Sequence, residues 1–336
     1  MSATPLLLLV ALLVGLGVVL WRHRAQRAVR ERRRIEDALK HLFDQEYRDR
    51  HASLASLKGA LRLPDGPVLA LVARMQALDL VRARGQEFDL TPAGERLALQ
   101  VVRAHRLLER YFADEARLPL GQVHAAAERR EHSLSAADID RLSADLGHPT
   151  FDPHGDPIPS REGSVPPAEG VPATSWLPET TGRIVHLEDE PAISFAQILA
   201  EGLRVGQVVR VIERTPQRVV LTDGENEFRL APAVAANVFL APAPEAAGAT
   251  GAIRLPDLPD HALAEVLGLD DNCQGFSRRR LMDLGVTEGA HIQPVLKTFA
   301  GDPRAYRIRG TVVAVRRDQA VHIIVRPLDV SAWRMA

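Results

Sequence analysis

Cysteine is nearly absent from this sequence: of 336 residues only Cys273 carries a thiol. One thiol excludes an intrachain disulfide framework and a cysteine-rich zinc site. Charge imbalance is absent too. The 42 Lys and Arg against 43 Asp and Glu leave a formal net charge of −1. No global basic surface announces a nucleic-acid partner, so any basic patch must be local. No nucleophile stands beside a triad-like partner, which argues against an enzyme. Cys273, in "DDNCQGFS", reads as a small buried apolar residue. The hydrophobic fraction of 46% is that of a globular chain, and the length suggests two or three domains.

Long hydrophobic runs are also lacking, with one exception. "PLLLLVALLVGLGVVLW", Pro5 to Trp21, holds 17 residues without a charge. A cleaved signal peptide wants a basic leader and a small-residue cleavage site, and neither is present. Trp21 followed by "RHRAQRAVRERRR" reads instead as an uncleaved single-pass anchor. Its basic side would face the cytoplasm. The expected location is therefore the cytoplasmic membrane, with the bulk of the chain cytoplasmic.

Beyond it, Ile35, Ala38, Leu39, Leu42 and Phe43 recur at helical spacing. A helix from Ser53, a break at Pro64-Asp65-Gly66 and a second helix over Pro67 to Leu78 follow. A hairpin turning at Gly85 comes next. Then comes a long helix with Thr91 as N-cap and Pro92 at its first position. Helix, helix-turn-helix, hairpin, helix is the order of a winged helix-turn-helix domain. Ser135 caps a further helix ending near Gly147. A Pro/Gly-rich linker leads to short β-like runs: "TGRIVHL", "QVVRVIER", "RVVLTD" and "EFRLA". After a second linker, "APAPEAAGATG", the last module has one helix and further strands. "LRVGQVVRV" and "LGVTEGAHIQPV" fall at similar places in the two β modules, which read as distant internal repeats.

The stretch "HAAAERREH", His124 to His132, carries the chemistry. On one helix, His124, Glu128, Glu131 and His132 fall within roughly 100° of one another. The preceding helix offers His105 and Glu109, an i,i+4 pair. Imidazole and carboxylate without thiolate suit Mn²⁺ or Fe²⁺ and admit Zn²⁺. Spacing alone leaves a solvated, salt-bridged helix face as the alternative.

"VVRAHRLLERYFADE", "VHAAAERREHSLS" and "LGHPTFDPHGDPIP" together resemble the metal-binding and dimerisation domain of the DtxR/MntR family of metal-dependent repressors. "VARMQALDLV" and "DLTPAGERLA" resemble the same family's DNA-binding domain. The resemblance runs from Arg32 to Pro159. Trp176–Pro242 resembles the SH3-like third domain of the iron-responsive branch. "RRRLMDLGVTEGA" and "GDPRAYRIRGTVVAVRR" resemble a FeoA domain. The resemblance implies a primary regulatory site of Asp37, Glu128, Glu131 and His132. It implies a second site of His105, Glu109 and His124, joined by His186 and Asp189 from the third domain. Lys40 stands where the manganese-responsive type has a second-metal carboxylate, which favours this second site. The hard ligands point first to Mn²⁺, and the FeoA-like module pulls toward Fe²⁺.

The expected fold is thus multidomain α+β. Residues 1–30 form a transmembrane helix with a basic juxtamembrane segment, and 31–101 a winged helix-turn-helix. Residues 102–159 form an all-α metal-binding and dimerisation domain. A linker (160–175), an SH3-like β-barrel (176–242), a linker (243–254) and a FeoA-like barrel (255–330) follow.

The expected function is metal-dependent transcriptional regulation by a homodimer on a double-stranded DNA operator. The helix that should read bases begins "PDGPVLAL". Pro64, Gly66, Pro67, Leu69 and Ala70 offer almost no donors or acceptors to base edges. Arg62, Arg74, Arg82 and Arg84 are the candidate phosphate contacts. The alternative is a membrane-anchored sensor acting on a Feo-type or manganese transporter through the FeoA-like module.

Overall fold

The computed structural model describes residues 4–167, 169–243, 252–270, 273, 275–298 and 301–328, with only the backbone of 4–14, 18 and 276. The linker expected at 243–254 falls mostly outside these residues.

Helix α1 (Thr4–Tyr47) is one helix of 44 residues. It passes from the apolar run through the arginines and into the stretch that carries Ile35 to Phe43 without a break. Among the described residues no helix is long and apolar enough to cross a membrane. This corrects the expected transmembrane anchor and the membrane location. Seventeen uncharged residues span only about 25 Å at 1.5 Å each, short of a ~30 Å hydrocarbon core, and the helix runs straight on into charge. The side chains of Pro5–Val14 lie outside the described residues.

The chain divides into two compact units. The first holds residues up to Ala104 together with Glu131–Ser133 and Pro159–Ser164. In it, Ile35, Ala38, Leu39, Leu42 and Phe43 of α1 are all buried, as their period requires. Strand β1 (Ala52–Ser53) leads into α2 (Leu54–Leu61), where Ser53 and Ser56 form a reciprocal capping box. Helix α3 (Asp65–Ala77) starts two residues before Pro67, because Pro67 in the first turn has no N–H to satisfy. Strands β2 (Val81–Arg84) and β3 (Glu87–Leu90) pair antiparallel about a turn at Gly85 and form, with β1, a sheet in the order β1-β3-β2. Helix α4 (Pro92–Asp114) starts after Thr91, whose Oγ1 accepts from the Gly94 N–H at 3.1 Å. Gly94 must lack a side chain: a Cβ there would sit 1.9 Å from the Leu80 carbonyl oxygen.

The second unit contains α4 from His105 onward, α5 (Leu120–Glu128) and α6 (Ala136–Asp145), the last capped by Ser135. It also holds two antiparallel six-stranded sheets. The first comprises β4 (Val171–Pro172), β5 (Thr181–Leu187), β6 (Val208–Arg214), β7 (Val219–Thr222), β8 (Glu227–Leu230) and β9 (Val238–Pro242). Its order is β4-β9-β5-β6-β7-β8. Helix α7 (Ala192–Glu201) follows β5, and α8 (Pro232–Ala235) precedes β9. The second comprises β10 (Ile253–Arg254), β11 (Ala264–Leu269), β12 (His291–Lys297), β13 (Arg304–Ile308), β14 (Thr311–Val315) and β15 (Ile323–Pro327). Helices α9 (Gly275–Asp283) and α10 (Arg317–Ala320) take the places of α7 and α8. Its order, β10-β15-β11-β12-β13-β14, repeats that of the first.

Each sheet has its own apolar core: Ile184, Phe195, Val211 and Leu240 in one, Val266, Leu281, Tyr306 and Ile323 in the other. The expected barrels are corrected. In each sheet the described strands form an open ladder, and no pairing joins the first strand of the order to the last. The α+β class stands, with an all-α region between the winged segment and the sheets.

Candidate metal centres

"HAAAERREH" is not one helix. Helix α5 ends at Glu128, Arg129 is its C-cap, and Glu131–Ser133 form a separate 3₁₀ turn. The break separates the four donors that helical spacing places on one face. His124 and Glu128 stay together, 3.4 Å apart, while Glu131 and His132 turn away as a buried pair.

In the first unit, Asp37 of α1 meets that buried pair. His132 Nε2 lies 3.0 Å from Asp37 Oδ1 and 3.5 Å from Glu131 Oε1. One donor atom from each of Asp37, Glu131 and His132 falls within 4.8 Å of the others. The Lys40 ammonium sits 3.4 Å from Glu131 Oε2, the oxygen turned away from His132. Burial disfavours the charged His132 ring. Hydrogen bonds to Asp37 and Glu36 and the charges of Asp37 and Glu131 outweigh it, lifting its pKa to about 9. Glu128 is not among the donors that converge here.

In the second unit, α4, α5, the loop before β4 and the end of β5 bring five side chains together. His105 Nε2 is 3.0 Å from Glu109 Oε1 and 3.3 Å from His124 Nδ1. His124 Nδ1 is 3.1 Å from Glu109 Oε1 and 2.8 Å from Asp189 Oδ2. Asp189 Oδ2 in turn lies 3.5 Å from His154 Nδ1. Glu109 is shared by two overlapping donor groups, His105–Glu109–His124 and Glu109–His154–Asp189.

Glu109 is only 1% exposed. Burial would raise its pKa, but the charge of His105 and hydrogen bonds from His105 and His124 hold it well below the usual range. Burial opposes charge on His124 as well, yet its hydrogen bonds to Asp189, Glu109 and Glu128 push it up to about 12. Asp189, despite burial, is drawn down to about 2 by His124 and His154. His186 stays outside the converging set, 3.7 Å from Asp156 and 3.9 Å from Glu188.

Two buried residues that sequence patterns did not single out complete the picture. His154 lies in "DPHGDP", which reads as a linker. Its placement depends on Gly155, where a Cβ would sit 2.0 Å from the Val185 carbonyl oxygen. That close approach lets the His154 carbonyl accept from the Leu187 N–H at 2.9 Å and holds the ring beside Asp189. Its Nε2 is buried with no hydrogen-bond partner among the described residues. A histidine between Pro and Gly in a Pro-rich loop is the signal that could have found it. Glu36 has no such signal; it is one more acidic residue on a helix, yet it lies 2.6 Å from His132 Nδ1.

Both clusters fit a divalent ion by their chemistry. Each is built around a buried carboxylate, Glu131 or Glu109, with Asp37 and His124 only partly buried; they converge, and they offer only imidazole and carboxylate, the set that suits Mn²⁺ and Fe²⁺ and admits Zn²⁺.

The expected DNA-contacting residues lie at the C-cap of α2, at the N-cap and on the exposed side of α3, and on the β2 strand of the hairpin. Val68, Leu71, Val72 and Met75 bury the inner face of α3. Pro64, Gly66, Pro67, Leu69 and Ala70 are exposed, and Arg62 is an exposed left-handed C-cap of α2. Arg74 pairs with Glu31 at 3.0 Å, Arg82 with Asp89 at 3.7 Å, and Arg84 lies 3.3 Å from His51.

Residues 91–160 match the family model described as "Iron dependent repressor, metal binding and dimerisation domain", and residues 253–327 match the FeoA domain. The chain is 43% identical over 96 residues to the iron-dependent repressor IdeR of Mycobacterium tuberculosis, covering 28% of this chain and 42% of that relative. Among solved structures, a manganese-dependent transcriptional repressor in complex with manganese superposes with a TM-score of 0.58 at 27% identity, over 61% of this chain and 98% of that one. The diphtheria toxin repressor of Corynebacterium diphtheriae is 33% identical over 162 residues, 44% of this chain and 71% of that relative. With that likeness extending over most of the relative's length, the chain belongs to the diphtheria toxin repressor family.

Proposed function

We propose that this chain is a metal-dependent transcriptional regulator, with Mn²⁺ or Fe²⁺ as its signal. One observation carries the reading. Asp37, on the helix that packs under the DNA-binding segment, lies within donor distance of Glu131 and His132, which are remote from it in sequence. A bound ion would supply the positive charge that offsets the Asp37 and Glu131 carboxylates once His132 has given up its proton to ligate. Asp37 then fixes α1 to the Glu131–Ser133 turn. Residues Ile35 to Phe43 carry that constraint into the apolar core beneath α2 and α3. The cluster of His105, Glu109, His124, His154 and Asp189 is a second metal centre. It ties the end of β5 to helices α4 and α5. Glu128 serves this second centre beside His124 rather than the first.

The regulator acts as a homodimer on a double-stranded operator. Base reading by α3 is apolar or by shape, since its N-cap and first two turns expose Pro64, Gly66, Pro67, Leu69 and Ala70. Arg62, Arg74, Arg82 and Arg84 supply phosphate contacts. A gel shift with the full chain tests this. DNA upstream of metal-transport genes should be retained with saturating Mn²⁺ or Fe²⁺ and released by chelator. No retention with either ion overturns the reading.

A further inference from the structure

His132 uses both edges of its ring. Nε2 faces Asp37 and Glu131, and Nδ1, on the other edge, lies 2.6 Å from Glu36 Oε2. Glu36 is 8% exposed and is itself held. Its Oε1 lies 3.4 Å from Arg32 Nε, and Arg32 Nη2 donates to the His132 backbone carbonyl at 2.5 Å. Arg32 therefore bridges the Glu36 carboxylate and the backbone of the residue that Glu36 touches. Glu36 directly precedes Asp37, so the two side chains leave α1 about 100° apart. They reach the same imidazole from different sides.

An ionised carboxylate only accepts hydrogen bonds, and a neutral imidazole has one N–H and one lone pair. With a carboxylate on Nδ1, the proton belongs on Nδ1 and the lone pair on Nε2. We propose that Glu36 is the positioning residue of the first metal centre: it fixes His132 as the Nδ1–H tautomer, with Nε2 aimed between Asp37 and Glu131, and Arg32 holds Glu36 in place. This rests on the reading of Asp37, Glu131 and His132 as a metal site. Glu36 is not a ligand, because its contact is with the ring edge that faces away from the other donors. A carboxylate bonded to the remote nitrogen of a ligating histidine orients the ring and raises its basicity, and losing such a partner typically weakens metal binding about 10- to 100-fold.

The test uses the full chain with ¹⁵N-labelled histidine and Zn²⁺, which is diamagnetic, followed by Mn²⁺ calorimetry. In the wild-type protein loaded with Zn²⁺, His132 should bind the ion through Nε2 and keep its proton on Nδ1. Binding through Nδ1 overturns the proposal, and needs no variant to do so. Glu36→Ala should weaken the Mn²⁺-binding component that His132→Ala abolishes by about 10- to 100-fold. Glu36→Gln keeps an acceptor oxygen and should lose less. A Glu36→Ala protein with native circular dichroism and affinity within about twofold of wild type also overturns the proposal. If His132→Ala removes no Mn²⁺-binding component, the metal-site reading itself fails, which is a separate result.

Discussion

Strands β5 and β11 occupy the same place in two sheets of identical strand order. Each pairs with the last strand of its sheet through a bulge, between Ile184 and His186 in one and between Val266 and Gly268 in the other. The first residue after each strand donates its N–H to a carbonyl beyond the short helix: Glu188 to Asn237 and Asp270 to His322, both at 2.9 Å. There the likeness ends. After β5, Asp189 reaches out to His124 at 2.8 Å. After β11, Asp270 is closed by its own module, with Arg254 at 2.6 Å and His322 at 2.9 Å. The residue that follows the bulge is His186 in the first sheet and Gly268, with no side chain, in the second. One frame thus delivers a donor, Asp189, to the proposed metal centre, while its copy pairs a carboxylate one position earlier, Asp270, within its own module. The backbone plan is shared, and the side chains at the strand end decide the role.

The largest effect expected from breaking this difference is at Asp189. Asp189→Ala should weaken Mn²⁺ binding at the second centre about a hundredfold or more by calorimetry, since it removes one partner of a buried charged pair. Asp270→Ala should leave Mn²⁺ affinity unchanged. A loss with Asp270→Ala would mean that both sheets serve the metal.

Next is pH. The His124 pKa is raised from its ordinary 6.5 to about 12, so in metal-free protein at neutral pH the ring holds its proton. Its ion pairs contribute stability that is fully present below 6.5 and lost as pH rises through about 12. A metal must displace that proton, so affinity at the second centre should fall about tenfold per unit as pH drops from 8 to 6. Calorimetry in buffers of different ionisation enthalpy would register the released proton. Binding without proton release would contradict the arrangement.

A smaller effect is expected at the bulge. His186→Gly, which gives the first sheet the second sheet's residue, should weaken Mn²⁺ binding by about tenfold or less, because His186 supports Asp156 and Glu188 without joining the donors. A loss as large as that of Asp189→Ala would make it a ligand.

The smallest effect is expected from Asp270→Asn. It should cost about 1–2 kcal/mol of stability by denaturant titration and nothing in metal affinity, since Asp270 is a partly buried partner of Arg254 and His322. The Asp270 carboxyl is buried, which would raise its pKa, but hydrogen bonds from His322 and Arg254 lower it. Its contribution is present above the usual carboxylate range and should vanish as pH falls below it.

Much of the local structure was legible in the residues. Thr91 and Ser135 announce the starts of α4 and α6 because a hydroxyl before a helix satisfies an otherwise free N–H. The period of Ile35, Ala38, Leu39, Leu42 and Phe43 marks the buried face of α1. His105 and Glu109 were legible as an i,i+4 pair because a helix makes them neighbours. The break after Glu128 was not legible, since "ERREH" has ordinary helix formers and no Gly or Pro. The continuation of the apolar N-terminal run into the helix of Ile35 to Phe43 was not legible either, because composition alone does not say where a helix stops.

The sequence by itself determined the elements, their caps, the two repeated β modules and the type of donor available, since these follow from contacts within a few residues. Tertiary structure alone decided which donors meet. It sent Glu128 to His124 and Glu131 with His132 to Asp37, and it brought His154 to Asp189 and Glu36 to the far edge of His132. The physical reason is range. A hydrogen bond between residues 96 apart leaves no local period to read, and only packing of the intervening chain brings its two ends within 2.6 Å.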